Sequence, residues 1–81
     1  MRVDFSSRFL RSYDAAPLRV RNDFDKQLTH LLANIRHPSL TAKKYNETRN
    51  IWQARVNRSW RFYFTIESDM YRMIDIISHP K

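Results

Sequence analysis

The sequence predicts a single α+β domain over residues 1–81, with two N-terminal helices packed on one face of an antiparallel four-stranded sheet. A chain of 81 residues suits one domain. Its first half repeats apolar residues at intervals of three and four, as amphipathic helices do, whereas the half after Pro38 repeats them at intervals of two, as strands do. This indicates helices packed on an antiparallel sheet, in the order β-α-α-β-β-β with one further strand possible.

The N-terminal segment predicts a short strand and a first helix. Val3–Phe5 is the candidate strand. Ser6 or Ser7 can cap the helix that follows, because a serine hydroxyl accepts a hydrogen bond from a free N–H of the first turn. The apolar residues of this helix are Phe9, Leu10 and Tyr13.

A second, longer helix is predicted to begin near Pro17, since proline is favoured at the first turn. Asn34 and the pair His37-Pro38 supply its stop signal. The apolar stripe that defines this helix consists of Val20, Phe24, Leu28, Leu31, Leu32 and Ile35.

The second half of the chain predicts a meander of strands joined by short turns. The apolar alternation places Trp52 and Trp60 on the core side of their strands. Turns are expected at residues 57–59 and 67–69. The predicted strands are Ile51–Val56, Trp60–Ile66 and Met70–Ile77, with Lys43–Glu47 as a further edge strand.

Composition excludes several classes of protein. Without cysteine there is neither a disulfide framework nor a thiolate metal site. Without glycine there is neither a P-loop nor a dinucleotide-binding loop, so we expect no small-molecule cofactor. No apolar run approaches the roughly 20 residues of a membrane span, and the N-terminus lacks the apolar stretch of a secretory signal. We therefore expect a cytoplasmic protein with no membrane partner.

The charge indicates a polyanionic partner. Fifteen Lys and Arg residues against eight Asp and Glu residues give a net charge of +7. Such an excess attracts nucleic acid or acidic proteins. Basic residues interleaved with aromatic ones suit single-stranded nucleic acid, since cations hold phosphates and rings stack on bases. The candidate RNA-binding residues are Lys43, Lys44, Arg49, Gln53, Arg58, Tyr63 and Lys81.

A sharper prediction concerns two arginines. If a three-residue loop joins the strands, Val56 lies opposite Trp60 and Arg55 lies opposite Arg61, on the face away from the helices. Like charges directly opposite each other destabilise a sheet, and an anion between them would relieve the repulsion. The alternative is that both arginines extend into solvent or pair with Asp75 and Glu67.

His79 directly follows the last predicted strand. Histidine is the side chain best suited to transfer protons near neutral pH, although a terminal histidine is commonly a simple surface residue. His30 and His37 do not have the spacing of metal ligands, and we expect no metal site.

The order and spacing of these motifs resemble the RelE/ParE superfamily of toxins. The resemblance lies in the hairpin Asn50–Glu67, in the final segment Ile74–His79 and in the link His37-Pro38-Ser39-Leu40, and it covers nearly the whole chain. It implies a type II toxin that an acidic antitoxin holds inactive. RelE-like members act in the ribosome, where they cleave messenger RNA without a metal ion. ParE-like members inhibit DNA gyrase, and a third possibility is an inactive homologue that only binds its antitoxin.

The resemblance also implies roles for individual residues. Arg61 matches the arginine that contacts the scissile phosphate, Arg55 matches a basic position that lines the site, and His79 matches the histidine that acts as general acid. The general base is not evident, since Glu47 does not align cleanly with a glutamate used by some members. We expect the two guanidinium groups and the imidazole to surround one spot that can hold a phosphodiester.

Overall fold

The computed structural model describes residues 1–79, which form two α-helices, one 3₁₀ turn and five strands. The order β-α-α-β-β-β-β agrees with the prediction, including the edge strand near residue 43. The elements are β1 (Arg2–Phe5), α1 (Ser7–Ala15), α2 (Leu18–Ala33), the 3₁₀ turn (Pro38–Leu40), β2 (Lys43–Asn46), β3 (Ile51–Arg55), β4 (Trp60–Glu67) and β5 (Met70–Ser78).

The strands form one sheet in the order β1-β5-β4-β3-β2. The pairs from β2 to β5 are antiparallel, as predicted. The structure differs from the prediction in its first strand, since β1 pairs parallel to β5 and makes a mixed sheet of five strands. Parallel neighbours need a long crossover connection, and here the two helices begin that connection. Val3 of β1 pairs with Tyr71 of β5, which is far away in the sequence. The local sequence of β1 therefore does not indicate whether the two strands run parallel or antiparallel.

The helix boundaries follow from their capping residues. The Ser6 hydroxyl accepts a hydrogen bond from the Phe9 N–H at 3.0 Å and donates one to the Ile74 carbonyl at 3.0 Å. One side chain therefore caps α1 and attaches it to β5. Pro17 and Asn34 are the cap residues that flank α2 at its two ends, as the sequence predicts.

The core lies between the helices and one face of the sheet. The ring of Phe24 on α2 lies 5.1 Å from Phe9 on α1 and 5.1 Å from Phe62 on β4, measured between ring centroids. Burial of such rings contributes most of the stability of a small domain. The buried apolar residues are Phe9, Ala16, Val20, Phe24, Leu31, Leu40, Ala54, Val56, Phe62, Phe64, Tyr71, Met73 and Ile76, with Trp52 and Trp60 packed against them.

Two predicted apolar positions of the helices are exposed instead. Leu10 is 47% exposed and Leu32 is 43% exposed. Leu32 follows the buried Leu31, and successive helical residues point about 100° apart around the axis. Since α2 has one side against the sheet, only one of the two leucines can face the core.

Among residues 1–79, three have a left-handed backbone although none is glycine: Thr41 with φ of 43°, Asn50 with φ of 56° and Ser68 with φ of 55°. Asn50 and Ser68 lie in turns between strands. Thr41 is the unusual one, because a β-branched residue is rare in this conformation. It lies between the 3₁₀ turn and β2, where it turns the chain into the edge strand.

Candidate functional site

The register of the β3–β4 hairpin places Arg55 directly opposite Arg61. The N–H of Val56 donates to the Trp60 carbonyl at 3.0 Å, which closes the hairpin as predicted. Side chains of directly paired residues project from the same face of a sheet, so both arginines lie on the face away from the core residues of the same strands. The predicted register is confirmed.

The end of β5 brings His79 to the same place. Ile77 pairs with Arg61, and side chains two residues apart on an extended chain share a face. The backbone N–H of His79 donates to the Ser59 carbonyl at 2.7 Å, so this residue is fixed against the β3–β4 loop although its side chain is exposed.

Arg55, Arg61 and His79 line one pocket of about 180 Å³. They come from the end of β3, the start of β4 and the end of β5, which are neighbouring strands. Lys43, at the start of β2, and its partner Gln53 also line this pocket, which we call the arginine pocket. Thr41 and Ala54 complete it.

The arginine pocket is strongly basic. Lys43, Arg55 and Arg61 line it, and no carboxylate from residues 1–79 does. Within that range neither arginine forms an ion pair. The acids named as alternative partners are engaged elsewhere, Asp75 with Arg8 at 3.2 Å and Glu67 with Arg72 at 4.0 Å. Two unneutralised guanidinium groups on paired positions make this the natural place for an anion.

Hydrogen bonds to the hairpin loop hold both arginines in place. The Arg61 Nη1 donates to the carbonyls of Asn57 at 2.8 Å and Trp60 at 2.9 Å, and the Arg55 Nε donates to the same Asn57 carbonyl at 3.4 Å. The Asn57 side chain holds the loop by accepting from the N–H groups of Ser59 and Trp60 at 2.9 and 3.0 Å. The loop thus orients the cations before any ligand binds.

Residues 1–79 contain no cluster of three or more His, Asp or Glu side chains able to hold a metal ion. Over the same range, no helix has both the length and the apolar character that a membrane span requires.

Comparison with known proteins gives structural matches alone. No protein-family model matches the sequence, and no curated protein matches it significantly. The fold is similar to that of a YoeB/ParE toxin from Agrobacterium tumefaciens, with a TM-score of 0.79 and 10% identity over 99% of this chain and 100% of that one. It is also similar to the RelE-RelB complex of Pyrococcus horikoshii, with a TM-score of 0.80 and 12% identity over 99% of this chain and 96% of that one. The chain has the RelE/ParE toxin fold.

A third structure with this fold is the YoeB-YefM toxin-antitoxin complex of Staphylococcus aureus, with a TM-score of 0.78 and 13% identity over 99% of this chain and 98% of that one. The resemblance seen in the sequence is therefore confirmed at the level of the fold. Of these three neighbours, the first is a toxin, the second is a RelE-RelB complex and the third is a toxin-antitoxin complex.

Among residues 1–79, the remaining predicted RNA-binding residues do not line the arginine pocket. Tyr63 accepts a hydrogen bond from the Gln53 amide at 2.8 Å and makes an edge contact with Tyr45 at 5.0 Å, on the same face as the pocket. Arg58 lies in the β3–β4 loop. Lys81 lies outside the described residues.

Two other predicted residues lie away from the arginine pocket. Lys44 lies over the ring of Trp52 at 5.4 Å and pairs with Glu47 at 3.8 Å, since alternation turns it to the opposite side from Lys43. Arg49 lies in the turn between β2 and β3, beyond the far end of β3. Glu47 lies in the same turn with its side chain 82% exposed, so it does not line the pocket.

The sequence reasoning missed Gln27, which is 7% exposed, and Asn57, the residue that holds the hairpin loop. Gln27 lies on the buried face of α2, three residues after Phe24 and four before Leu31. A polar residue at such a spacing is a usable signal, because a buried amide needs hydrogen-bond partners. Thr41, which also lines the arginine pocket, carried no comparable signal.

Proposed function

We propose that this protein is the toxin of a type II toxin-antitoxin system, which inhibits translation by cleaving messenger RNA on the ribosome without a metal ion. The observation that carries the proposal is the arginine pocket, where an imidazole and two guanidinium groups that form no ion pair with residues 1–79 line one small cavity. The RelE/ParE fold supports it, since toxins share that fold. A fold alone does not define a reaction, so the argument depends on the chemistry of the pocket.

RNA contains its own nucleophile for this reaction. The 2′-oxygen attacks the adjacent phosphorus, the bond from phosphorus to the 5′-oxygen breaks, and the products are a 2′,3′-cyclic phosphate and a 5′-hydroxyl. Negative charge accumulates on the phosphoryl oxygens in the transition state. Fixed donors aimed at that charge can lower the barrier by several kcal/mol, about 3–4 for one donor in other enzymes. In this proposal Arg55 and Arg61 act as such donors.

The leaving 5′-oxygen needs a proton, which His79 supplies in this proposal. Among the side chains of residues 1–79 that line the pocket, the imidazole is the one best suited to transfer a proton near neutral pH. With no carboxylate from those residues in the pocket, removal of the 2′-hydroxyl proton falls to a nitrogen base or to water. DNA lacks the 2′-hydroxyl, so the reaction is confined to RNA.

An acidic antitoxin is the proposed partner in the cytoplasm. Two structural neighbours are complexes of a toxin with its antitoxin. The charge of +7 favours an acidic polypeptide, which can cover the basic surface and block RNA.

The test is induced expression followed by mapping of messenger RNA ends on ribosomes. We expect the wild-type protein to arrest growth and to produce cleaved transcripts with 5′-hydroxyl ends. Arg61→Ala and His79→Ala should each relieve the arrest while thermal unfolding shows a folded protein. Arg2→Ala, which removes a cation on the distant strand β1, is the matched control and should remain toxic.

Three results would contradict this proposal. If Arg61→Ala and His79→Ala are as toxic as the wild type, the arginine pocket is not the site of the reaction. If the purified protein inhibits supercoiling by gyrase and leaves messenger RNA intact, the protein is instead a toxin of the ParE kind. Binding of an antitoxin with no effect on growth would indicate an inactive homologue.

A further inference from the structure

A second basic concavity lies beside the arginine pocket, between helix α2 and the β3–β4 loop. It has a volume of about 370 Å³. Lys26 and His30 line it from α2, and Asn57 and Arg58 line it from the loop. Arg55 lines both this concavity, which we call the helix pocket, and the arginine pocket. The two pockets therefore share one lining residue, at the end of β3.

The helix pocket carries more positive than negative charge. Lys26 and Arg58 are exposed, and neither forms an ion pair within residues 1–79. The one carboxylate that lines it from those residues is Asp23, and this carboxylate accepts a hydrogen bond from the Asn57 side chain at 2.8 Å. Burial, followed by the charges of His37 and Lys26, holds the pKa of His30 below its reference value of 6.5. His30 thus lies close to the positive charges of His37 and Lys26.

The walls of the helix pocket are fixed to each other. The Gln27 amide on α2 donates to the Arg55 carbonyl at 2.8 Å, and the bond between Asp23 and Asn57 joins α2 to the hairpin loop. A site whose walls are already connected loses little conformational entropy when a ligand binds. Lys26 and Arg58 extend from these fixed walls.

We propose that the helix pocket binds a second phosphate of the same RNA strand, next to the one held in the arginine pocket. This inference rests on the proposed function. It extends the RNA-binding site from one phosphate to two, so that the RNA strand crosses the end of β3 with Arg55 between the two phosphates. A nucleic acid fits two adjoining basic concavities because its charges repeat along one chain. Lys26 and Arg58 supply the donors at the second position.

The experiment measures binding without cleavage. RNA in which every 2′-oxygen is methylated cannot react, because its nucleophile is blocked. A labelled dinucleotide, which has one bridging phosphate, and a labelled hexanucleotide are titrated by fluorescence anisotropy at several salt concentrations. For single strands, each phosphate contact contributes about 0.7 to the slope of log K against log salt.

We expect the double variant Lys26→Ala/Arg58→Ala to lower the hexanucleotide slope by about 0.7, the amount for one lost phosphate contact. Its dinucleotide affinity should fall no further than that of Arg11→Ala/Arg19→Ala, a control with the same loss of charge on exposed helical positions outside both pockets. Arg61→Ala should weaken the binding of both RNAs.

The contrary results are separable. If the two double variants lose hexanucleotide affinity equally while Arg61→Ala still weakens both RNAs, the helix pocket is not a phosphate site and the proposed function stands. If the wild-type protein binds neither RNA, the proposed function fails and this inference fails with it. If Lys26→Ala/Arg58→Ala weakens binding of an acidic peptide but not of the hexanucleotide, the helix pocket belongs to a protein partner and the phosphate path is wrong.

Discussion

The side-chain amide of Gln27 donates a hydrogen bond to the backbone carbonyl of Arg55 across 2.8 Å. The same nitrogen donates to the Ser39 carbonyl at 3.0 Å, and the Gln27 oxygen accepts from the Ser39 hydroxyl at 3.0 Å. One buried residue of α2 therefore joins the 3₁₀ turn to the end of β3. It fixes the backbone of a pocket arginine from the helix side of the sheet.

Replacing Gln27 with leucine should destabilise the protein although it adds an apolar side chain to the interior. The carbonyls of Ser39 and Arg55 lose their donor, and a buried polar group without a partner costs about 1–3 kcal/mol. Chemical denaturation measures the change in the free energy of unfolding. Asn22→Leu, on the exposed side of the same helix, should change it by no more than about 0.5 kcal/mol. Equal losses in the two variants would show that these hydrogen bonds are not the cause.

Arg55→Gln should stabilise the folded protein at low ionic strength. The substitution removes one of two like charges at directly paired positions. The repulsion between such charges costs roughly 0.2–1 kcal/mol. Functional residues often carry such a cost to stability. The thermal midpoints of variant and wild type should converge as sulfate is added, since the anion relieves the repulsion in the wild type. A lower midpoint for the variant at every sulfate concentration would count against an anion-binding pair.

Asn57→Asp should destabilise the hairpin loop through charge. Aspartate still accepts from the N–H groups of Ser59 and Trp60, but it loses the amide that donates to Asp23 and places two carboxylates side by side. Adding Asp23→Asn should restore a donor and recover most of the loss. Urea denaturation of both single variants and the double variant tests this, because a coupling energy is expected only between interacting residues. Additive losses would mean that the two side chains act independently.

The protein should become less stable as the solution is acidified below the reference pKa of His30, which is 6.5. Burial and then the charges of His37 and Lys26 lower the pKa of His30 in the folded state, so the folded protein binds fewer protons than the unfolded chain. Stability from this source is present above pH 6.5 and declines as the pH falls through the lowered pKa.

Thermal midpoints measured at several pH values between about 5 and 8 test this linkage, because that range spans the titration of a histidine. His30→Asn should flatten the dependence, and Lys26→Met should flatten it in part, since it removes one of the two neighbouring charges. If His30→Asn leaves the dependence unchanged, another group is responsible for it.

The sequence predicts most of the fold because its signals are local and agree with one another. Ser6, Pro17 and Asn34 set the helix ends, and apolar alternation sets the strands. The three-residue loop at Asn57 was enough to predict that Arg55 faces Arg61. The parallel pairing of β1 was missed, because the partner of a strand distant in sequence depends on the whole topology.

The candidate site was predictable to the extent that strand parity determines it. Alternation predicted a shared face for Arg55 and Arg61, and the end of β5 brought His79 to them. The hydrogen bonds from α2 to the site were not predictable, because Gln27 can donate to the Arg55 carbonyl only once the helix has packed on the sheet. Strand alternation turns Lys44 towards Trp52, so the predicted RNA contact of this lysine would lie outside the arginine pocket.

The backbone of Thr41 has a further consequence for the behaviour of this protein. A left-handed threonine costs about 1–2 kcal/mol relative to a relaxed residue, and glycine would avoid that cost. Yet the same residue lines the arginine pocket and precedes Lys43 by two positions. A glycine there would loosen the approach to the cavity, so a Thr41→Gly variant should be more stable than the wild type but should bind an anion in the arginine pocket less tightly.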